Sequence, residues 1–255
     1  MPRFFVEPDK IREEQLVIDT EDVSHLKKVL RIREGEKITV CDSCGYDYEA
    51  EVETIGEREI LCRVLSKKHS DTESNLTVTL YQALPKAAKM DYIIQKTTEL
   101  GVCRIVPCAL SRCVVKLENR KAEEKKTSRW QKIAEEAAKQ SGRGVIPRID
   151  MPQTLSEALE ELKGMDLAFV PYECEDQTTL RAVLNSRKEV HSVGFLIGPE
   201  GGFDPAETEV IRNAGIPTVT LGKRILRTET AGEAVLAMVM YELGDINKER
   251  KKQSE

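Results

Sequence analysis

Leu196-Ile-Gly-Pro-Glu-Gly-Gly202 and Leu221-Gly-Lys-Arg-Ile-Leu-Arg-Thr-Glu-Thr-Ala231 decide how this chain is read. Each is an apolar strand running into a glycine-containing loop, and a short helix separates the two. In open α/β sheets, ligands sit beyond the carboxyl ends of strands, where such loops gather. The pair is therefore the candidate active site, and the rest of the chain is its support.

Outward from that pair, strands and helices alternate. Strands are predicted at 76–83, 102–106 (closed by Pro107), 167–170, 193–197 and 218–221. Helices are predicted at 86–100, 118–141, 154–162, 178–184, 204–214 and 230–243. Thr154 with Glu157 forms a capping box, Asp204 caps a helix with Pro205 and Glu207 behind it, and Thr230 with Glu233 caps the last helix. That last helix is apolar nearly all round and should be buried. Alternation of this kind predicts a mostly parallel sheet covered on both faces.

Residues 1 to about 70 read differently. Short strand-like runs at 3–6, 15–18, 37–41, 48–54 and 60–65 are separated by turn residues such as Glu34-Gly35 and Ile55-Gly56. One helix, 21–30, interrupts them, with Thr20 as its cap and Val23, Leu26, Val29 and Leu30 on its inner face. A small β-barrel is expected. The polar stretch 66–75 reads as a linker, which puts the domain boundary near 70–75 and the domains at 1–72 and 73–255.

Hydrophobic residues make up 40% of the 255 and charged residues 33%, as in a globular protein with a charged surface. No apolar run reaches membrane-spanning length, and Pro2 and Glu7 interrupt any signal-peptide core, so a cytoplasmic protein is expected. Seven cysteines suit free thiols. Cys41 and Cys44 form a C-x-x-C, but no second ligand pair accompanies it, and Asp42, Ser43 and Gly45 make it a turn between strands. A net charge of −5 does not announce a nucleic-acid binder. Between Arg112 and Arg148, however, eleven Lys/Arg stand against five Asp/Glu. That excess suits phosphate contact or a solvated helix face equally.

The loop 198–202 holds three glycines and a proline, so backbone can approach a flat ligand closely. It is neither G-x-G-x-x-G nor a Walker A loop, and no pyrophosphate grip is evident. The second loop carries Lys223, Arg224 and Arg227, with Ile225 and Leu226 between charges, and leads into a helix whose first N–H groups lack helical partners. Thr230 and Glu233 are explained as caps. Arg227 and Glu229 have no evident structural reason.

At these residues the sequence resembles the bacterial 16S ribosomal RNA uracil-N3 methyltransferases (the RsmE family) of the SPOUT superfamily. The likeness rests on the two loops and on Gln95-Lys-Thr-Thr-Glu-Leu-Gly101, Ser111-Arg-Cys113 with Lys116, Trp130-Gln-Lys-Ile133, Gln140-Ser-Gly-Arg143, Pro2-Arg-Phe-Phe5 and His25-Leu-Lys-Lys-Val-Leu-Arg31. It implies an N-terminal PUA-like barrel, a trefoil-knotted C-terminal α/β domain, a homodimer, S-adenosylmethionine as methyl donor with no metal, and small-subunit ribosomal RNA as substrate. The donor would be clasped by Pro171 and Tyr172, by Leu196, Ile197, Gly198, Pro199, Glu200, Gly201 and Gly202, and by Leu221, Gly222, Ile225, Leu226, Arg227, Thr228, Thr230 and Ala231. Arg227 would stabilise a developing uracil anion, and Glu229, ahead of Glu200, would accept the N3 proton. Arg3, Lys27, Lys28, Arg31, Arg112, Lys116 and Arg143 would hold RNA phosphates. Two other readings remain: an enzyme of the same superfamily acting on another RNA, and a non-catalytic RNA-binding ribosome-assembly factor.

Overall fold

The computed structural model describes residues 3–19, 22–117 and 119–247, with the side chains of Asp22 and His25 left aside. The cap expected at Thr20, the helix starts at Glu21 and Glu118 and the tail beyond 247 lie outside the described residues. The chain divides into two compact units, Met1–Glu73 with Ala138–Ile146, and Ser74–Ala137 with Pro147–Glu255.

In the first unit, β1 (Arg3–Phe5), β2 (Gln15–Ile18), β3 (Lys37–Cys41), β4 (Tyr46–Ile55) and β5 (Ile60–His69) form one sheet in the order β1-β3-β4-β5-β2. Its two edge strands feed the same core, Phe4 from β1 meeting Leu16 and Ile18 from β2, so the sheet curls around it. Strand β5 runs to His69, four residues into the expected linker. Those polar residues pair with Tyr46 to Glu49 of β4. The Lys67 ammonium lies over the Tyr46 and Tyr48 rings at 4.1 and 5.3 Å, and the His69 ring meets Tyr46 at 4.2 Å. Polar side chains with apolar stems thus hold a strand that composition alone reads as loop.

Helix α1 (Asp22–His25) continues into a π-helical turn, Leu26–Leu30. The wider turn breaks the three-to-four-residue spacing that was to bring four residues to one face. Val23 and Leu26 enter the core, but Val29 and Leu30 are 64% and 41% exposed. At the C-x-x-C turn, the Asp42 carboxylate accepts the Cys44 and Tyr46 N–H groups at 2.8 and 3.0 Å. None of the seven cysteines is bridged.

The second unit is built on β6 (Thr77–Ala83), α2 (Lys89–Glu99), β7 (Arg104–Ala109), α3 (Arg120–Ser141), β8 (Arg148–Ile149), β9 (Gln153–Thr154), α4 (Leu155–Lys163), β10 (Leu167–Pro171), α5 (Leu180–Leu184), β11 (Ser192–Ile197), α6 (Pro205–Asn213), β12 (Thr218–Val219) and α7 (Thr228–Glu242). The last turn of α3, from Ala138, is grouped with the first unit. Seven strands form an all-parallel sheet, β12-β10-β11-β6-β7-β8, with β9 also on β7. From Val193 to Ile197, β11 is buried throughout, as a strand covered on both faces must be. The capping boxes expected at Thr154 with Glu157 and at Asp204 with Glu207 are both formed.

Strands β8 and β9 were not expected from sequence, and among the boundaries that differ three have a local cause. Helix α2 starts at Lys89, not Lys86, because Ala87 takes a left-handed φ of 53°. Strand β7 runs through Pro107 to Ala109. Asp150 N–H donates to the Ile105 carbonyl, so alternate residues 105 and 107 address that flank. There the neighbouring strand is interrupted: β8 pairs with Arg104 and Ile105, β9 with Cys108 and Ala109, and the missing N–H of Pro107 falls in the gap. Helix α7 starts at Thr228 with Arg227 in the cap position, so Thr230 caps nothing. Nor is α7 buried all round, since Met238 and Tyr241 are exposed.

Candidate functional site

The carboxyl ends of β6 and β11 lie side by side where the connectivity reverses. From β6 the chain proceeds outward to β7, β8 and β9, whereas β11, β10 and β12 fill the other flank. Such a switch point is the natural ligand crevice of a parallel sheet. Three segments named from sequence follow strands of this sheet: Pro171-Tyr172 at the end of β10, Gly198–Gly202 after β11, and Leu221–Ala231 after β12, the last four residues of which form the first turn of α7.

Buried groups hold these loops. The Thr228 hydroxyl donates to the Gly198 carbonyl at 2.7 Å and accepts from Gln82 Nε2 at 2.9 Å. The other amide proton of Gln82 goes to the Ala83 carbonyl at 3.1 Å. One hydroxyl therefore ties the first turn of α7 to the ends of both β11 and β6. Gly232 lets α7 lie close to the sheet there, as a Cβ would stand 3.3 Å from Gln82 Oε1. Gly202 takes a φ of 68°, and a Cβ on it would overlap the Glu173 carboxylate; one on Gly198 would press the Phe203 ring at 2.9 Å. Two glycines of the first loop thus serve packing. Tyr172 is fixed by its N–H on the Val219 carbonyl at 3.0 Å, with its ring edge-on to Phe203.

Charge is concentrated at one point. Lys89, from the first turn of α2, places its ammonium 3.1 Å from Glu200 and 3.1 Å from Glu229. Burial pushes the Glu229 carboxyl up. Its own backbone N–H and the Lys89 ammonium outweigh that and leave it below its ordinary value. Glu200 behaves likewise, with the Lys86 N–H also donating to it at 3.1 Å. Both carboxylates are therefore ionised at neutral pH in one cluster with the Lys89 ammonium, and the charge of Arg227 also favours the ionised form of Glu229. Arg227 is exposed beside it, at the positive end of the fifteen-residue α7.

The other residues named from sequence separate into two groups. Pro171, Leu196, Ile197, Pro199, Thr228 and Ala231 are buried framework. Glu200, Gly201, Gly222, Ile225, Arg227 and Thr230 are exposed, with Tyr172, Gly198, Gly202, Leu221 and Leu226 half-buried between. Of the cations, Lys28 and Arg31 are exposed, and Lys27 is exposed while donating to the Gly56 carbonyl at 2.9 Å. Arg112 donates to the Gly201 carbonyl at 3.1 Å, and Lys116 to the Ser111 carbonyl at 3.3 Å. Arg3 and Arg143 are placed inward instead. Arg3 bridges the buried Asp47 at 2.7 Å and the Gly142 carbonyl. Arg143 is 4% exposed and paired with Glu73 at 2.6 Å. Both act as clamps within the first unit, Arg143 buried and Arg3 partly exposed. Lys89 and Gln82 were not singled out from sequence; a lysine opening a helix and a glutamine ending a strand carry no local signal of their distant partners.

Among the described residues, no group of three His, Cys, Asp or Glu is arranged to hold a metal, and no helix is long and apolar enough to cross a membrane.

Comparison with known proteins places the chain among enzymes of RNA. The family model for an RNA methyltransferase PUA domain matches residues 18–65, and that for an RNA methyltransferase domain matches residues 72–240. The Ribosomal RNA small subunit methyltransferase E of Bacillus subtilis is 34% identical over 249 residues, 95% of this chain and 97% of that protein. Its Synechocystis namesake is 32% identical, covering 93% of this chain and 76% of its own length. A crystal structure of Ribosomal RNA small subunit methyltransferase E from Neisseria gonorrhoeae, bound to S-adenosyl methionine, superposes with a TM-score of 0.84 at 33% identity, covering 96% and 99% of the two chains.

Proposed function

This chain belongs to the RNA methyltransferase family, and on that premise we propose that it methylates N3 of one uridine in small-subunit ribosomal RNA, with S-adenosylmethionine as donor. The observation that carries the reading is the convergence of loops 198–202 and 220–227 on the Lys89–Glu200–Glu229 cluster, with Arg227 beside it.

The residues suit that donor. Bound there, S-adenosylmethionine supplies a methyl group activated by a positive sulfonium. Glu200 and Glu229, held by the Lys89 ammonium, would present ionised carboxylates toward the positive sulfonium. At Gly222 a Cβ would meet nothing within 4 Å, so backbone there is open to a flat ring, with the half-buried Leu221 and Leu226 as apolar walls. Tyr172, Gly198, Gly201 and Gly202 would line the opposite side of the ring.

Uracil N3 is protonated at neutral pH and becomes a nucleophile only as that proton leaves. Arg227 and the first N–H groups of α7 supply positive potential to the uracil anion. Glu229 is ionised and accepts the proton, while Glu200, engaged by Lys86 and Lys89, is framework. Alignment of the nitrogen with the methyl is the protein's main task in an in-line transfer. Lys28 and Arg31 of the first unit and Arg112 and Lys116 of the second hold phosphates.

We place the domains at 1–72, an RNA-binding PUA-like β-barrel that residues 138–146 complete, and 73–255, a methyltransferase domain of SPOUT type with a C-terminal trefoil knot. The route from the edge strand β12 back to α7 against β6 and β11 supports the knot. The exposed Tyr92, Met238 and Tyr241 support a homodimer, and a cytoplasmic site of action follows from the substrate.

Mass spectrometry of ribosomal RNA from a strain lacking this protein tests the assignment. Loss of one N3-methyluridine in 16S RNA is expected, and an unchanged RNA refutes it. Arg227→Ala should lower turnover at least about 100-fold with donor binding intact, and Glu229→Gln should also impair it. Normal turnover in either variant removes that residue from its role.

A further inference from the structure

After β7 the chain makes a loop, 111–117, at the same carboxyl edge as the donor loops. Its root is fixed. Cys113 is buried, and the Ser111 N–H donates to Glu207 Oε1 at 2.7 Å, while Glu207 Oε2 accepts the Asp204 N–H at 3.0 Å at the start of α6. Arg112 donates to the Gly201 carbonyl at 3.1 Å and lies 3.5 Å from the Asp204 carboxylate. The tip is different: Val114 and Leu117 are 60% and 42% exposed, next to Arg112 and Lys116 in the chain.

We propose that this loop is the docking site for the unpaired strand that carries the target uridine, and that Arg112 couples its occupancy to the donor loop. The proposal rests on the functional reading above. In a base pair, N3 of uracil is engaged in a hydrogen bond, so the target must leave its stack, and the bases beside it lose a neighbour. Bases that lose a neighbour expose apolar faces that gain by burial against apolar side chains, while cations take the phosphates. Val114 and Leu117 give an apolar surface, and Arg112 and Lys116 the cations, within one pinned loop. A guanidinium has five donors, so Arg112 can exchange its looser contact, Asp204, for a phosphate while keeping the Gly201 carbonyl. Its arginine then belongs to both sites, and RNA binding steadies the donor loop.

Two measurements on the full-length protein test this, using a small-subunit ribosomal RNA fragment and S-adenosylhomocysteine, which cannot turn over. Val114→Ser with Leu117→Ser removes apolar area from the contact and should weaken RNA binding about five- to ten-fold. The slope of log affinity against log salt should not change, because no phosphate contact is lost. In the wild type, RNA should tighten S-adenosylhomocysteine binding by about five-fold or more, and in Arg112→Gln that factor should fall to about one. Wild-type RNA affinity in the double variant, or full coupling in Arg112→Gln, overturns the proposal. So does a double variant that changes from dimer to monomer, since the patch is then an interface between copies. A wild-type protein that binds S-adenosylhomocysteine but no small-subunit RNA overturns the functional reading as well.

Discussion

Replacing Thr228 by valine keeps the side-chain shape and removes the hydroxyl that joins α7 to β6 and β11. Two bonds disappear, to the Gly198 carbonyl at 2.7 Å and from Gln82 at 2.9 Å. Each is worth about 1 kcal/mol net, and the bared Gly198 carbonyl adds part of a desolvation penalty. Gln82 keeps its bond to the Ala83 carbonyl, which limits the loss on that side. The sum is about 2–3 kcal/mol, or a fall in Tm of roughly 5–10 °C for a chain of this size. Thr228→Ser retains the hydroxyl, loses one methyl and should cost no more than about 1 kcal/mol. Because the donor loop is anchored by the same bond, S-adenosylmethionine affinity should also drop. A loss of 2 kcal/mol in that restraint is about thirty-fold in Kd. Differential scanning calorimetry and isothermal titration on wild type, serine and valine variants give both numbers. If valine melts with serine and binds the donor as tightly, the hydroxyl does not organise this site.

Other expectations follow from the charged groups. Lys89→Met removes the cation that holds Glu200 and Glu229 below their ordinary values. Their pKa values then rise, so the acid limb of donor binding, measured by calorimetry from about pH 4 to 7, moves to higher pH, and Lys89→Arg restores it. Glu161 is held at about 2, against an ordinary 4.5, by Arg104 first and then by Gln153 and Tyr81. A depressed carboxylate stabilises the fold fully above its unfolded pKa and loses that contribution as pH falls through the folded one. Tm should therefore drop between about pH 4.5 and 2 more steeply in wild type than in Glu161→Gln. Arg143→Gln removes the cation from Glu73, which keeps the Gly144 and Val145 N–H groups, and should cost about 2 kcal/mol in chemical denaturation. It should leave the salt slope of RNA binding unchanged, whereas loss of a phosphate contact would reduce that slope.

Where the fold obeys local rules, the sequence was legible. Asp204, Pro205 and Glu207 announce the start of α6, Thr154 and Glu157 that of α4, and the continuous apolar run at β11 announces a strand buried on both faces. The last helix shows the limit of such rules. Thr230 with Glu233 reads from sequence as its cap, yet the helix starts at Thr228, two residues earlier. The hydroxyl that matters is that of Thr228, which donates to the Gly198 carbonyl thirty positions away in sequence, so only tertiary structure reveals it. Lys89 was hidden for the same reason, because its carboxylates lie more than a hundred residues further on. Arg3 and Arg143 resemble surface cations until Asp47 and Glu73 are seen opposite them. Both candidate loops stood out because glycine, proline and clustered charge at strand ends are unusual without a ligand. Their clamp was not, since it is made of ordinary residues in ordinary elements.

The first unit also has a consequence for how the protein is made. Its clamp on Glu73 is supplied by Arg143 and the backbone N–H groups of Gly144 and Val145, and Ala138 and Ile146 pack on Phe5 and Cys41. These pieces are synthesised some seventy residues after the strands they complete. A nascent chain that has emerged only to residue 73 therefore lacks the parts that close its amino-terminal domain, and a fragment cut there is not a faithful miniature of it. Final closure waits until translation has passed residue 146, by which time β6, α2 and β7 have also been made.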